Sequence, residues 1–273
     1  MPEQWRSFVS TTAQLALMAA IFVPLERVLA RRRERLRRAE LWNDIAYNLL
    51  NGLLLSSLMA VPVAGLTLAA RHLVPDAVLQ AAAALPLWAR VPLVLVVGDI
   101  GAYWGHRWAH RLLVLWRFHV IHHSATQVDW LVNTRAHPID LVFTRLCGLA
   151  PLFLCGLAQT TTGPSAMPAA LTLVMLFWSY VVHANVRWRF GWLEYLVATP
   201  AFHHWHHTND ELRDRNFAAI FPFVDMMFGT FVLPRRYPQV YGVDAPPAAS
   251  FGAQLLDPLL PGPGTGPGPR TDG

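Results

Sequence analysis

The chain has 273 residues, of which 54% are hydrophobic and only 14% charged, with mean hydropathy +0.32. A soluble globular domain carries about 25% charged residues, so the composition argues against one and points to a membrane protein. The net charge of +5 is carried by arginine alone, and much of it lies in RRRERLRR at 31–38 beside an apolar segment; that is the flank of a membrane helix or an anionic-lipid contact, not a nucleic-acid footprint.

A spanning helix needs roughly 20 mostly apolar residues. The first candidate, about 9–29, closes on Pro24, Glu26 and Arg27, which predicts a tilted or interfacial end. The second, about 45–70, is long and holds Pro62, where a kink is expected. The third, about 85–104, contains Arg90 and Asp99, so a four-helix count also serves. The fourth and fifth, about 141–158 and 167–184, flank the turn-like TTTGPSA and read as a helical hairpin. The expected fold is therefore all-α: an integral membrane helical bundle of about 4–5 transmembrane helices. It divides into N-terminal transmembrane segments over 1–94, a histidine-rich unit over 95–240, and a Pro/Gly-rich disordered tail over 241–273.

Cys147 and Cys155 lie in an apolar stretch and read as small buried hydrophobes, not as a disulfide or zinc pair. The first apolar run lacks a basic leader and a small-residue cleavage site, so no signal peptide is expected. Placing Arg31–Arg38 in the cytoplasm sends the second segment out and the third back. Both 106–137 and 186–240 then face the cytoplasm, as a histidine-rich helical cap. The all-arginine basic set, with abundant Ala and Pro, suggests a GC-rich bacterial genome and hence a bacterial inner membrane.

Eleven of the twelve histidines fall between 106 and 207. In DIGAYWGHRWAHR, His106 and His110 stand four apart and share one helix face, with Asp99 and Tyr103 on that face. FHVIHH gives His119, His122 and His123; NTRAHP gives His137; His183 closes the fifth apolar segment; HHWHH repeats the H-x-x-H-H pattern with His203, His206 and His207, His204 being extra. One such pair is weak evidence, since histidine is common at interfaces and in satisfied cores. Two H-x-x-H-H boxes and an H-x-x-x-H box at matching helix ends need another reason. Ionisable groups near membrane depth are expensive, and clustered imidazoles repel when protonated, so neutral metal ligands explain them better. The number of imidazoles exceeds what one ion takes and fits two. Imidazole suits Fe, Zn, Cu and Ni, but zinc has no redox chemistry.

With these boxes in place, the chain resembles the fatty acid hydroxylase / sterol desaturase superfamily of integral membrane non-haem di-iron enzymes. The likeness covers roughly 95–235 and runs through LWRFHVIHHS, NTRAHPID, VVHANVR, TPAFHHWHHTND and NFAAIFPFVDMMFGTFVLP. The resemblance implies two iron ions held by His106, His110, His119, His122, His123, His137, His183, His203, His206 and His207. It implies O2-dependent hydroxylation or desaturation of a lipid, with electrons from a separate donor of ferredoxin or cytochrome type. Arg187 stands four after His183, where some relatives have a further histidine. Asp99 and Asp225 are candidates to hydrogen-bond ligand imidazoles, with helix-end capping as the alternative. Arg135 reads as a headgroup contact or an ion-pair partner. The competing reading is a non-enzymatic His-rich membrane protein that binds or transports metal, which would string histidines along a path at mid-membrane. A zinc protease is disfavoured, because no H-E-x-x-H occurs.

Overall fold

In the computed structural model the described residues are 3–158 and 167–260. Among them the chain forms ten α-helices, three short 3-10 turns and no strand. In chain order the helices are α1 (Glu3–Val28), α2 (Leu41–Leu73), α3 (Asp76–Ala84), α4 (Leu87–Arg111), α5 (Leu113–His123), α6 (Pro138–Leu154), α7 (Met167–His183), α8 (Pro200–His206), α9 (Pro222–Met227) and α10 (Phe251–Leu256). The all-α membrane bundle is what the composition requires.

Among the described residues three helices are long and apolar enough to span a membrane, at Gln4–Val28, Leu41–Leu73 and Leu87–Arg111. Four or five were expected, and the difference lies in the second half. Helix α6 is 17 residues long, about 25 Å at 1.5 Å per residue, short of a hydrocarbon core of roughly 30 Å, and α7 is described from Met167 onward. Helix α6 stops at Leu154 because Gly156 takes φ +71 and the N–H groups of Cys155, Gly156 and Leu157 turn back onto the carbonyls of Pro151, Phe153 and Leu152. The TTTGPSA turn lies outside the described residues.

Among the described residues the α4–α6 pair is the most extensive helix packing. It rests on small residues. A Cβ on Gly101 would fall on the Cys147 carbonyl, and one on Gly105 would sit 2.6 Å from the Cys147 Cβ. Close backbone approach of this kind is how helices associate in lipid. Its consequence is positional: it holds the first turn of α6 beside the last turns of α4.

The ends of α1, α4, α5 and α7 converge. Arg31 donates its backbone N–H to Asn185 and Arg187 returns one to Leu29, which ties the chain after α1 to the chain after α7. The arginine run takes part in this. Arg31 reaches Tyr241 Oη and the Pro238 carbonyl, Arg32 donates to the Gln239 carbonyl, and Arg38 forks onto both oxygens of Asp129. Arg33, Arg35 and Arg37 stay exposed. Glu26, read from the sequence as an interfacial residue, accepts the backbone N–H groups of Trp130 and Asn185.

The segment 241–260, expected as part of a disordered tail, is folded. Ser250 caps α10, the Phe251 ring packs on Tyr47 at 4.8 Å, and Phe251 and Leu255 join Tyr47, Val120 and Ile121 in one apolar cluster. The Pro/Gly-rich composition that suggested disorder is concentrated in 261–273, outside the described residues.

Candidate metal centre

The helix termini set up the site. Helix α4 ends at Arg111, and the extended backbone of Leu112 turns the chain straight into α5. That brings the last turn of α4 back toward the last turn of α5. Helix α8 starts on Thr199, which caps Phe202 N, with Pro200 in the first turn. It is only seven residues long, enough to present His203, His206 and then His207.

Nine imidazoles gather into two groups. His106, His110, His119, His123 and His206 form one, and His122, His183, His203 and His207 the other; within each, the ligand nitrogens lie within 4.8 Å of one another. The two groups adjoin, with the His123 and His207 rings stacked at 4.7 Å between centroids. The repeated H-x-x-H-H pattern has a geometric meaning here. In α5 the i, i+4 pair His119 and His123 serves the first group and His122 the second. In α8 the i, i+4 pair His203 and His207 serves the second and His206 the first. Each box bridges both groups.

Hydrogen bonds fix the tautomers. Carbonyl and carboxylate oxygens only accept, so a ring nitrogen facing one must carry the proton. His106 Nδ1 donates to Phe217 O at 2.9 Å, His110 Nδ1 to Asp214 Oδ1 at 2.9 Å, His119 Nδ1 to Asp140 Oδ2 at 3.0 Å and His206 Nδ1 to Arg215 O at 2.9 Å. In the second group His122 Nδ1 donates to Arg135 O at 3.0 Å and His183 Nδ1 to Ser179 O at 2.7 Å. A neutral ring with its proton on Nδ1 shows a bare lone pair at Nε2. His122 and His183 therefore point lone pairs at each other across 3.4 Å. His119 Nε2 and His206 Nε2 are buried with no hydrogen-bond partner. A cation resolves both features: two nitrogens bound at about 2.1 Å to one ion lie about 3.0–3.4 Å apart at ordinary coordination angles. The residues present thus fit two metal ions.

The rings are electrostatically suited to that task. Burial first, and then the neighbouring imidazoles, hold His122, His123, His203 and His207 well below the ordinary histidine range; for His206 burial and His106 do the same. These rings are neutral at pH 7, the state in which an imidazole can bind a metal.

Several sequence expectations are placed elsewhere. His137 joins neither group. Its Nδ1 accepts from Ile139 N at 3.1 Å, capping α6, and its Nε2 donates to Leu255 O at 3.2 Å, so both ring nitrogens are engaged. His204 also stays out: Nδ1 meets Tyr241 Oη at 2.8 Å and Nε2 donates to the carbonyls of His183 and Ala184. Asp99 and Asp225 touch no imidazole. Asp99 accepts the N–H groups of Ala219, Ile220 and Phe221; Asp225 accepts those of Phe217 and Ala218 and the Thr230 hydroxyl. They hold the loop whose Phe217 carbonyl orients His106, so they stand one step back from the imidazoles. Asn216, at φ +58, bonds Phe202 O, Val232 O and Val232 N, joining α8 to the closing segment. Arg135 is 1% exposed and faces Asp44, Ser124 and Glu40, not solvent. The two carboxylates that do reach imidazoles, Asp140 and Asp214, were missed. Asp140 sits in the PID that follows His137, in the first turn of α6; Asp214 carries no sequence signal.

Comparison with known proteins fits this geometry. The family model described as fatty acid hydroxylase matches residues 91–230, which contain all nine clustered histidines. The chain belongs to the fatty acid hydroxylase family. An ornithine lipid hydroxylase from Rhizobium tropici is 32% identical over 267 residues, covering 92% of this chain and 74% of that protein. An alkylglycerol monooxygenase from Danio rerio is 33% identical over 151 residues, 54% of this chain and 31% of that protein. A methylsterol monooxygenase from Arabidopsis thaliana is 27% identical over 154 residues, 54% and 55% of the two chains. The chain thus spans about three quarters of the first and about a third of the second. No solved structure matches.

Proposed function

We propose that this protein is a membrane-bound, O2-dependent di-iron oxidoreductase that hydroxylates a C–H bond of a lipid. The observation that carries it is the pair of buried imidazole groups at the converging ends of apolar helices. Two redox-active ions there would supply the O2 activation that attack on an unactivated C–H bond needs. The overall reaction places one oxygen atom in the C–H bond and releases the other as water, with two electrons from a separate donor and two protons. Hydroxylation is preferred to desaturation because the relative matched over most of this chain is named a hydroxylase and others matched over its histidine unit are named monooxygenases, with aldehyde decarbonylases also matched there.

The protein's own groups have defined tasks in this reading. Six Nδ1–H donations fix ring orientation, so the ligand set is built before any metal arrives. Burial of the imidazoles keeps bulk water from the centre, and the apolar flanks of α1, α2 and α4 let a lipid tail approach from the bilayer. The positive-inside rule puts the end bearing Arg33, Arg35 and Arg37 in the cytoplasm of a bacterial inner membrane, where a ferredoxin- or cytochrome-type donor has access. Residues 1–94 serve as membrane anchor and 95–240 as the catalytic unit.

Among substrates, an acylated amino-acid lipid is the first choice, because the ornithine lipid hydroxylase aligns over 92% of the chain. The metal-transport alternative gains nothing from the structure, since the histidines form a closed pair of groups at one end of the helices and not a path through them. Expression in a bacterium that makes ornithine lipid, followed by lipid mass spectrometry, tests the reading. A lipid heavier by one oxygen in the wild type and absent with His207→Ala supports it. An unchanged lipid profile across all classes contradicts it.

A further inference from the structure

The two imidazole groups differ in what stands behind them. In the first, two of five rings rest on carboxylates: His110 on Asp214 and His119 on Asp140, at 2.9 and 3.0 Å. Both carboxylates are shielded, with side-chain exposure of 19% and 6%. In the second group no carboxylate meets a ring among the described residues; His122 and His183 rest on the carbonyls of Arg135 and Ser179. Asp214 is held at its place by a costly backbone, φ +62 for a residue with a side chain, a conformation that persists only where the surroundings impose it. Asp140 is placed by the glycine-mediated α4–α6 packing and by the His137 cap that starts α6.

A carboxylate on Nδ1–H pushes electron density onto Nε2 and locks the ring's orientation, and loss of such a partner costs about 10–100-fold in metal affinity. We infer that Asp140 and Asp214 are positioning residues that make the five-imidazole group the tightly held metal position and leave the four-imidazole group the exchangeable one. The ligand count acts in the same direction, five against four. This inference rests on the two-metal reading above, but its failure is separable from that reading's.

The test is metal release. The full-length protein, loaded anaerobically with ferrous iron in detergent, is mixed with excess chelator and iron release is followed in time. The wild type should lose its iron in two phases of equal amplitude. Asp140→Asn and Asp214→Asn should each speed the slow phase about 10–100-fold and leave the fast phase unmoved; general loosening of the fold would speed both. His207→Ala, which touches neither carboxylate, should abolish the fast phase and retain the slow one, so the claim stays testable if an Asn variant does not fold. Two irons per chain leaving at one rate, or Asn variants that speed the fast phase instead, would overturn this inference alone. A wild type that retains no iron would overturn the two-metal reading and this inference with it.

Discussion

At the scale of single residues, the site separates histidines that look alike in the sequence. His203 and His204 are adjacent, yet one points into the second imidazole group and the other bonds Tyr241 and two carbonyls. His203→Ala should therefore lower bound iron from two per chain to one or fewer, whereas His204→Ala should keep both and cost about 1–3 kcal/mol of stability through the groups left unpaired. Metal analysis and thermal unfolding of the two variants distinguish them. A pH effect follows from burial. His122, His123, His203, His206 and His207 have folded-state values well below the ordinary 6.5. Below about pH 6.5 the unfolded chain takes up protons that the folded chain refuses, so stability falls as pH falls. Through these rings the metal-free protein should lose unfolding temperature from pH 7 to 5, and replacing buried rings of the two groups by glutamine should flatten that fall. The clustered histidines were legible because H-x-x-H-H is local: an i, i+4 pair with one offset ring is a helix property. Asp140 and Asp214 were not, because their partners lie 21 and 104 residues away in sequence, and Asp214 depends on a left-handed backbone that nothing in its composition announces.

Helices and their ends decide how those residues meet. The α4–α6 contact is the element on which Asp140 depends, and its small-residue stripe makes a directional prediction. Gly101→Val should force the helices apart, costing about 1–3 kcal/mol by overpacking, and should weaken iron retention by withdrawing Asp140 from His119. Gly65→Ala, where nothing lies within 4 Å of the new carbon, should be neutral or slightly stabilising. Thermal unfolding in one detergent compares the two. Three helices long enough to span stand among the described residues against an expectation of four or five; hydropathy counts apolar residues, while α6 is ended by a glycine cap at a fixed length. The ordered α10 was missed for a related reason. Its apolar residues are few, and their partner Tyr47 lies about two hundred positions earlier in the chain.

For the whole molecule, the arrangement of apolar helices with a histidine-lined end follows from composition and spacing, whereas the side of the membrane rests on the arginine run. A cysteine placed at exposed Arg35 should react with a membrane-impermeant thiol reagent only in inverted vesicles, the native Cys147 and Cys155 being replaced by alanine and serine. Labelling from the periplasmic side would reverse the topology. If O2 oxidises a lipid at the paired imidazole groups, the oxygen in the product comes from O2 and isotope labelling reads it. Cells expressing the protein under 18O2 should accumulate a lipid carrying one heavy oxygen, and cells expressing His207→Ala should not. A product whose oxygen comes from water, or one that forms equally with His207→Ala, would contradict the account.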